Sequence, residues 1–309
     1  MYHLQPIAKE RIWGTPRLHS YGGDPTIERI GSVYSASATP DIDCPVQQSE
    51  RSEASDPQQG TTRTLGELIA SNPTAFGLRP GERYPLMVSF TACDQHLSIQ
   101  VHPSDAYARK KEGVAYGKSE AWYFITPPED GWIFAEQRLA DKKAITQAEH
   151  RDFEQLLRKA PVSKGELVYI PSGTIHALTK GALVYEVQQA TDITYRFYDY
   201  DRKDHNGQQR ALHLADALAT LNPNGKIDTA PFPTGDKVTF QPFTLHHFTV
   251  GTYLENPGDI AAVVTLLSGE ITLSDRLVAP GHSVLLLPGE CVAVQGQGTC
   301  IMAIPHRYT

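Results

Sequence analysis

The sequence predicts a mostly-β protein built as two consecutive β-barrels with a few helices inserted between strands. Three observations lead there. Short β-patterned runs recur at 84–92, 96–102, 121–125, 166–171, 182–189 and 192–199, Gly and Pro turns separate them, and the same texture returns after about residue 230. Many short strands punctuated in this way favour antiparallel sandwiches or barrels. A chain of 309 residues also has room for two such units, at roughly 150 residues per domain. We place the boundary between 1–230 and 231–309.

The elements follow in order. The first eleven residues lead into Ile12-Trp13-Gly14, and a turn-rich stretch runs to about Ile30. Ser, Asp, Gln, Pro and Thr dominate 35–63, which predicts an exposed loop. Thr64 followed by Glu67 matches a capping box, and Leu65, Leu68 and Ile69 lie at helical spacing, so a helical insertion is expected at about 64–78. A second is expected at about 146–160, with Phe153, Leu156 and Leu157 on one stripe, and a third over Leu212 to Leu221. In the second unit, strands are expected at Phe248 to Leu254, Ile260 to Leu267, Glu270 to Leu273, Ser283 to Leu287 and Cys300 to Ile304. Leu267-Ser268-Gly269-Glu270-Ile271-Thr272 reads as a hairpin of a small jelly roll, as does the stretch from Val278 to Pro288.

Composition excludes several function classes. Net charge is −7 and basic residues are scattered, which argues against nucleic-acid or acidic-membrane partners. No apolar run approaches the roughly 18 residues of a membrane span, and the first residues lack the apolar core of a signal peptide. A cytoplasmic protein is expected. Cys44, Cys93, Cys291 and Cys300 form no Cys-x-x-Cys pair, and Cys93 reads as a buried structural thiol.

The chemistry starts at Gln100-Val101-His102-Pro103. Residues i and i+2 on a strand share a face, so Ser98, Gln100 and His102 look one way while Leu97, Ile99 and Val101 look the other. A lone strand-end histidine is more often structural than a ligand. Its context reverses that reading. Glu120 precedes the aromatic-rich run Ala121 to Ile125, where an unpaired buried carboxylate would be costly, and His176 follows the turn Pro171-Ser172-Gly173-Thr174. His102, Glu120 and His176 make a two-His, one-carboxylate set with Gln100 as a neutral fourth donor, a pattern used by catalytic zinc and by non-haem iron. His246, His247, His282 and His306 share no such pattern and are expected to be structural or at the surface.

Four segments carry a family resemblance: Leu97 to Pro103, Gly117-Lys118-Ser119-Glu120, Pro171 to Ala177, and Asp192 to Arg202. In order and spacing they resemble the type I mannose-6-phosphate isomerases, in the short bacterial branch of that cupin family. The likeness starts at Lys9 to Gly14 and covers nearly the whole chain. It implies two cupin-type jelly-roll barrels, the second, 231–309, degenerate and without metal. It also implies one Zn2+ per chain on Gln100, His102, Glu120 and His176, and interconversion of mannose 6-phosphate and fructose 6-phosphate through a cis-enediol. Lys118, Arg196 and Glu186 would be catalytic, and Lys118, Arg196 and Ser98 would contact the phosphosugar. Asp192, Thr194, Arg196 and Tyr198 are expected to share one strand face. A monomer or homodimer is expected.

Two segments depart from the family pattern. Ser32, in Gly31-Ser32-Val33-Tyr34, stands where relatives carry an acid, and Tyr34 stands in place of a tryptophan. Ser89 stands where they carry a lysine. These changes raise altered phosphosugar specificity or a non-catalytic sugar-phosphate sensor as alternatives. An iron cupin oxygenase on the same ligands is a third.

Overall fold

The computed structural model describes residues 1–47, 63–138, 142–146, 148, 152–204 and 206–307. The fold is mostly β and of cupin type, and its three large sheets are antiparallel throughout. A seven-stranded sheet runs, in spatial order, through Asp228–Pro231, Glu166–Ile170, Glu120–Thr126, Leu183–Gln189, Leu86–Ala92, Ile30–Ala36 and Ile7–Thr15. A five-stranded sheet runs through Leu157–Pro161, Trp132–Gln137, His176–Ala177, Ile99–Val101 and Tyr195–Tyr198. The strands after residue 231 form a nine-stranded sheet that also takes in Tyr2–Leu4 and Val46–Gln47 from the other end of the chain.

Period two positions the site. In Leu183–Gln189, Leu183, Tyr185 and Val187 enter a large apolar core shared with Val263, Leu285, Ile301 and Ala303 of the nine-stranded sheet. Glu186 and Gln188 alternate with them and line a cleft on the opposite face. Leu86–Ala92 repeats the scheme, with Val88 and Phe90 in the shared core and Thr91 on the cleft. These strands and Ile30–Ala36 are buried along their whole length, so the middle of the seven-stranded sheet is covered on both faces.

Several expectations hold and several need correcting. Leu65–Ser71 is a helix, capped by Thr64 with both arms of the capping box formed. The stretch from 35 to 47 is not an exposed loop: Ser35, Ser37, Ile42, Cys44 and Val46 are buried, with the polar groups bonded internally, as in Ser37 Oγ to Thr39 Oγ1 at 3.2 Å. Residues 48–62 lie outside the described set. Among the described residues of the region expected to be helical at 146–160, Asp152–Leu156 is an α-helix and Thr146 ends the separate helix Lys142–Thr146. Leu157–Pro161 is a strand paired with Trp132–Gln137, so sheet pairing overrides the helix-forming character of Leu, Arg, Lys and Ala. The third helix is Leu214–Thr220, and it buries Ala217 while Leu214 stays exposed.

In the C-terminal sheet, Phe248 to Leu254 divides between Phe243–Thr249 and Tyr253–Glu255. The expected hairpin at Leu267 to Thr272 is instead the interior of one strand, Ala262–Leu273, with a bulge between Leu266 and Ser268. The turn comes later, at Ser274 and Asp275, both at positive φ, as a two-residue hairpin requires. Gly269 belongs to close strand approach: a Cβ there would sit 2.2 Å from the Gln297 carbonyl oxygen. Among the described residues, no helix is long and apolar enough to cross a membrane.

Candidate metal centre and sugar cleft

Cross-strand register assembles the site. Gln100 lies directly opposite His176 on one neighbouring strand and Arg196 on the other, so the three side chains form one row across the five-stranded sheet. His102 follows two residues after Gln100 on the same face. Glu120 comes from the facing seven-stranded sheet, where it opens Glu120–Thr126 and lies opposite Gln188. The two sheets thus close on one point.

At that point His176 Nε2 is 3.1 Å from Glu120 Oε1, and His102 Nε2 is 3.6 Å from Glu120 Oε2. One ligand-type atom from each residue lies within 4.8 Å of the others, and all three residues are buried. The imidazoles are pinned from behind: His102 Nδ1 donates to the Ile193 carbonyl and His176 Nδ1 to the Thr174 carbonyl, each at 2.8 Å. Both Nε2 lone pairs are thereby directed at the centre. His102 Nε2, His176 Nε2 and Glu120 Oε1 are buried without a hydrogen-bond donor, while Lys118 reaches Glu120 Oε2. Convergent polar atoms left without a donor carry a desolvation cost that a cation would remove. Two neutral imidazoles and a carboxylate are a donor set that fits a divalent ion. Burial and the nearby Lys118 ammonium push the His102 imidazole down to about 4, which keeps it neutral. Gln100 lines the cleft beside this centre and accepts a hydrogen bond from the buried Ser98 hydroxyl at 2.9 Å.

Lys118 is not a solvated loop lysine. It is 5% exposed and lies between two carboxylates, 3.1 Å from Glu120 Oε2 and 3.7 Å from Glu186 Oε1. Burial alone would lower its ammonium, but the attraction of Glu120 and Glu186 outweighs it and holds the group above the ordinary lysine range. Glu186 is pushed up to about 7 by burial, against the pull of Lys118. Its Oε2 accepts hydrogen bonds from Thr91 at 2.8 Å and Ser89 at 3.3 Å, and Ser32 contacts Thr91 at 3.1 Å.

Beside the centre lies a cleft of about 260 Å³, lined by Gln100, Lys118 and Glu186 and also by Arg11, Asp192, Arg196, Arg210 and His213. Arg196 is anchored through Nε to the Ala211 carbonyl at 3.1 Å. Arg210 grips the buried Asp199 through Nε and Nη2, at 2.8 and 2.6 Å. Asp192, Thr194 and Arg196 share the cleft as expected, but Tyr198 does not: a bulge after Arg196 turns it into the core, stacked on Phe153. Reading the sequence missed Arg210, His213 and Thr91. The available signal for Thr91 was its place two residues after Ser89 on one strand. No local signal marked Arg210, which is held by a loop contact. Cys93 is buried, its thiol pushed up to about 12 by burial, so it is no nucleophile. His247 is buried with Nδ1 donating to the Phe232 carbonyl, and it lies outside the single metal-type cluster found among the described residues.

Fold and site together define a cupin-type β-protein with an internal cluster able to hold a metal ion. No family model matches the sequence. It is 37% identical over 221 residues to mannose-6-phosphate isomerase ManA of Bacillus subtilis, covering 71% of this chain and 67% of the relative. It is 39% identical over 319 residues to YvyI of the same organism, provisionally given the same activity name, with 98% of both chains covered. The crystal structure of the mannose 6-phosphate isomerase from Bacillus subtilis superposes with a TM-score of 0.75 at 28% identity, covering 98% of each chain. The chain belongs to the type I mannose-6-phosphate isomerase family and is an isomerase.

Proposed function

We propose that this isomerase interconverts mannose 6-phosphate and fructose 6-phosphate, with one Zn2+ per chain held by Gln100, His102, Glu120 and His176. The observation that carries the reading is the convergence of His102, Glu120 and His176 on one buried point, next to a cleft lined by Gln100, Lys118, Arg196 and Arg210. The ion, when bound, supplies Lewis-acid polarisation of the sugar's C1 and C2 oxygens, which acidifies the intervening C–H and favours a cis-enediol. The residues supply the rest. Glu186, on the cleft wall beside Lys118, is placed to move the proton between C1 and C2. Lys118 stabilises negative charge developing on the sugar oxygens, and Arg196 offers its guanidinium fork to the enediolate or the phosphate. Ser98 orients the Gln100 amide and lies within reach of a sugar hydroxyl. We assign this chemistry to residues 1–230.

Ser32 and Ser89 support a second reading, in which the same site takes a different phosphosugar or binds one without turnover. Where the family resemblance places an acid and a lysine, the cleft wall here is neutral hydroxyls. A coupled isomerase assay on mannose 6-phosphate and other phosphosugars separates the readings, run beside metal analysis of the purified protein. Turnover of mannose 6-phosphate with zinc near one per chain is expected. Binding without conversion by metal-replete protein would overturn the isomerase assignment.

A further inference from the structure

The carboxylate of Glu186 is gripped asymmetrically, and the grip is made of hydroxyls. Both donors land on Oε2: Thr91 at 2.8 Å and Ser89 at 3.3 Å, while Oε1 is left facing Lys118 at 3.7 Å. Register explains the placement. Glu186 lies directly opposite Ser89 across the paired strands, Thr91 is two residues further along on the same face, and Ser32 lies opposite Thr91 on the next strand.

A count of hydroxyl protons fixes the direction of the chain. A hydroxyl carries one hydrogen. Thr91 gives its hydrogen to Glu186, so at the 3.1 Å contact with Ser32 the Thr91 oxygen must accept and Ser32 must donate. Ser89 also gives its hydrogen to Glu186, so its 3.5 Å approach to Thr91 carries no bond. Ser32, Thr91 and Ser89 are buried. Oε2 thus takes both hydroxyl hydrogens. A proton arriving at this carboxylate goes to Oε1, the oxygen on the Lys118 side.

We propose that Thr91, backed by Ser32 and assisted by Ser89, is a positioning residue that aims Glu186 so that Oε1 alone exchanges a proton with the substrate. This rests on the reading of Glu186 as the proton-transfer group. The step balances within the sugar: Oε1 takes the C2 proton of the aldose, leaving a C1–C2 enediolate, the O2 hydroxyl proton passes to O1, and Oε1 returns its proton to C1 as the C2 carbonyl forms, with no outside oxidant or reductant. Loss of the Thr91 hydroxyl frees Oε2 and lets the carboxylate rotate, so the proton is carried in the wrong geometry while metal and sugar still bind.

The test compares Thr91→Val, which keeps the side chain's shape and removes the donor, with Thr91→Ser, which restores the donor and drops a methyl. Thr91→Val is expected to lower kcat by about 10- to 100-fold, a fraction of what general-base catalysis contributes, with KM within about twofold and metal per chain unchanged. Transfer of label from C2 to C1 in deuterated water should fall relative to exchange with solvent. Thr91→Ser should recover kcat to within about threefold. Ser32→Ala, one bond further back, should lose only about two- to fivefold, and it carries the test if Thr91→Val does not fold. Wild-type kcat in Thr91→Val, or in Ser32→Ala when it carries the test, overturns the positioning role, as does equal loss in Thr91→Val and Thr91→Ser. Absence of turnover in the wild type overturns the isomerase reading itself, and this role with it.

Discussion

The interior between the five- and seven-stranded sheets and the interior of the nine-stranded sheet are built by the same rule and filled in opposite ways. In the first, alternate inward positions are His102, Glu120, Lys118, His176 and Glu186, all buried. In the second, they are Leu254, Val264, Leu266, Ile271, Leu286 and Met302, packed as an apolar cluster. A β-fold of this kind needs only something inside that satisfies its own polar groups. Apolar side chains meet that need by dispersion and dehydration. The polar set does not meet it alone: Lys118 pairs with Glu120 and Glu186, but the Nε2 atoms of His102 and His176 have no hydrogen-bond donor. The difference teaches that the first interior is unfinished without a ligand and the second is complete.

The largest expected effect tests that contrast directly. His176→Ala removes a convergent ligand, and we expect loss of bound metal together with a fall in isomerase activity of at least about 10³-fold, on the scale of removing an essential Lewis acid. His247→Ala removes a buried histidine away from the centre, from the core shared between the sheets, where it packs on Tyr123 and Phe232 and Nδ1 merely bonds the Phe232 carbonyl. It should keep metal and activity per folded molecule and lose roughly 1–3 kcal/mol of stability. Metal analysis and thermal unfolding on the same preparations decide the matter. Full activity in His176→Ala breaks the comparison, as does metal loss in His247→Ala.

Next comes Lys118→Met, which keeps the volume of a buried side chain and removes its charge. Glu120 and Glu186 then face each other without their shared cation. We expect kcat/KM to fall about 10²- to 10³-fold with metal retained. Unchanged kcat/KM at full metal occupancy would remove Lys118 from the chemistry and reduce it to a counter-ion.

How much of this was legible in the sequence follows from the distance over which each contact acts. Gln100 and His102 were readable because strand geometry puts i and i+2 on one face, and Glu120 because a carboxylate ahead of Trp122 and Phe124 needs a partner. Thr91 and Glu186 are 95 positions apart and meet only through strand register, which no local pattern encodes. Arg210 depends on Asp199, eleven residues away through a loop. The fold errors have the same origin. Leu157–Pro161 has helix-forming residues, but its pairing with Trp132–Gln137 decides its state. The polar stretch 35–47 reads as loop, yet its hydroxyls bond one another indoors. Both buried-strand faces of Leu183–Gln189 look partly apolar, so period two was visible there only once the two cores were separated.

A third effect comes from the complete interior. Leu286→Ala opens a cavity in the apolar cluster, where Leu286 is fully buried. It should cost about 2–5 kcal/mol of stability. Metal content and kcat should stay at wild-type values, since the cluster that holds it includes no residue lining the cleft. A changed metal stoichiometry would show that the second interior shapes the first.

The smallest expected effect probes how the two interiors are joined. Besides the shared apolar core, a short buried hydroxyl chain crosses between the sheets: Ser283 bonds Ser35 at 2.9 Å and Thr265 at 2.8 Å. Ser35 lies on the same Ile30–Ala36 strand as Ser32, so this link reaches the back of the strand whose front faces the cleft. Ser283→Ala deletes its middle member and leaves two buried hydroxyls short of a partner, at about 1–2 kcal/mol. If the nine-stranded sheet serves the site only as a support, metal affinity and kcat will not change, and unfolding followed by metal release and by circular dichroism will shift together. Separate transitions in the variant would mean that the joint is weaker than the continuous core implies. A loss of kcat at unchanged stability would mean that the complete interior sets the geometry of the unfinished one through this strand.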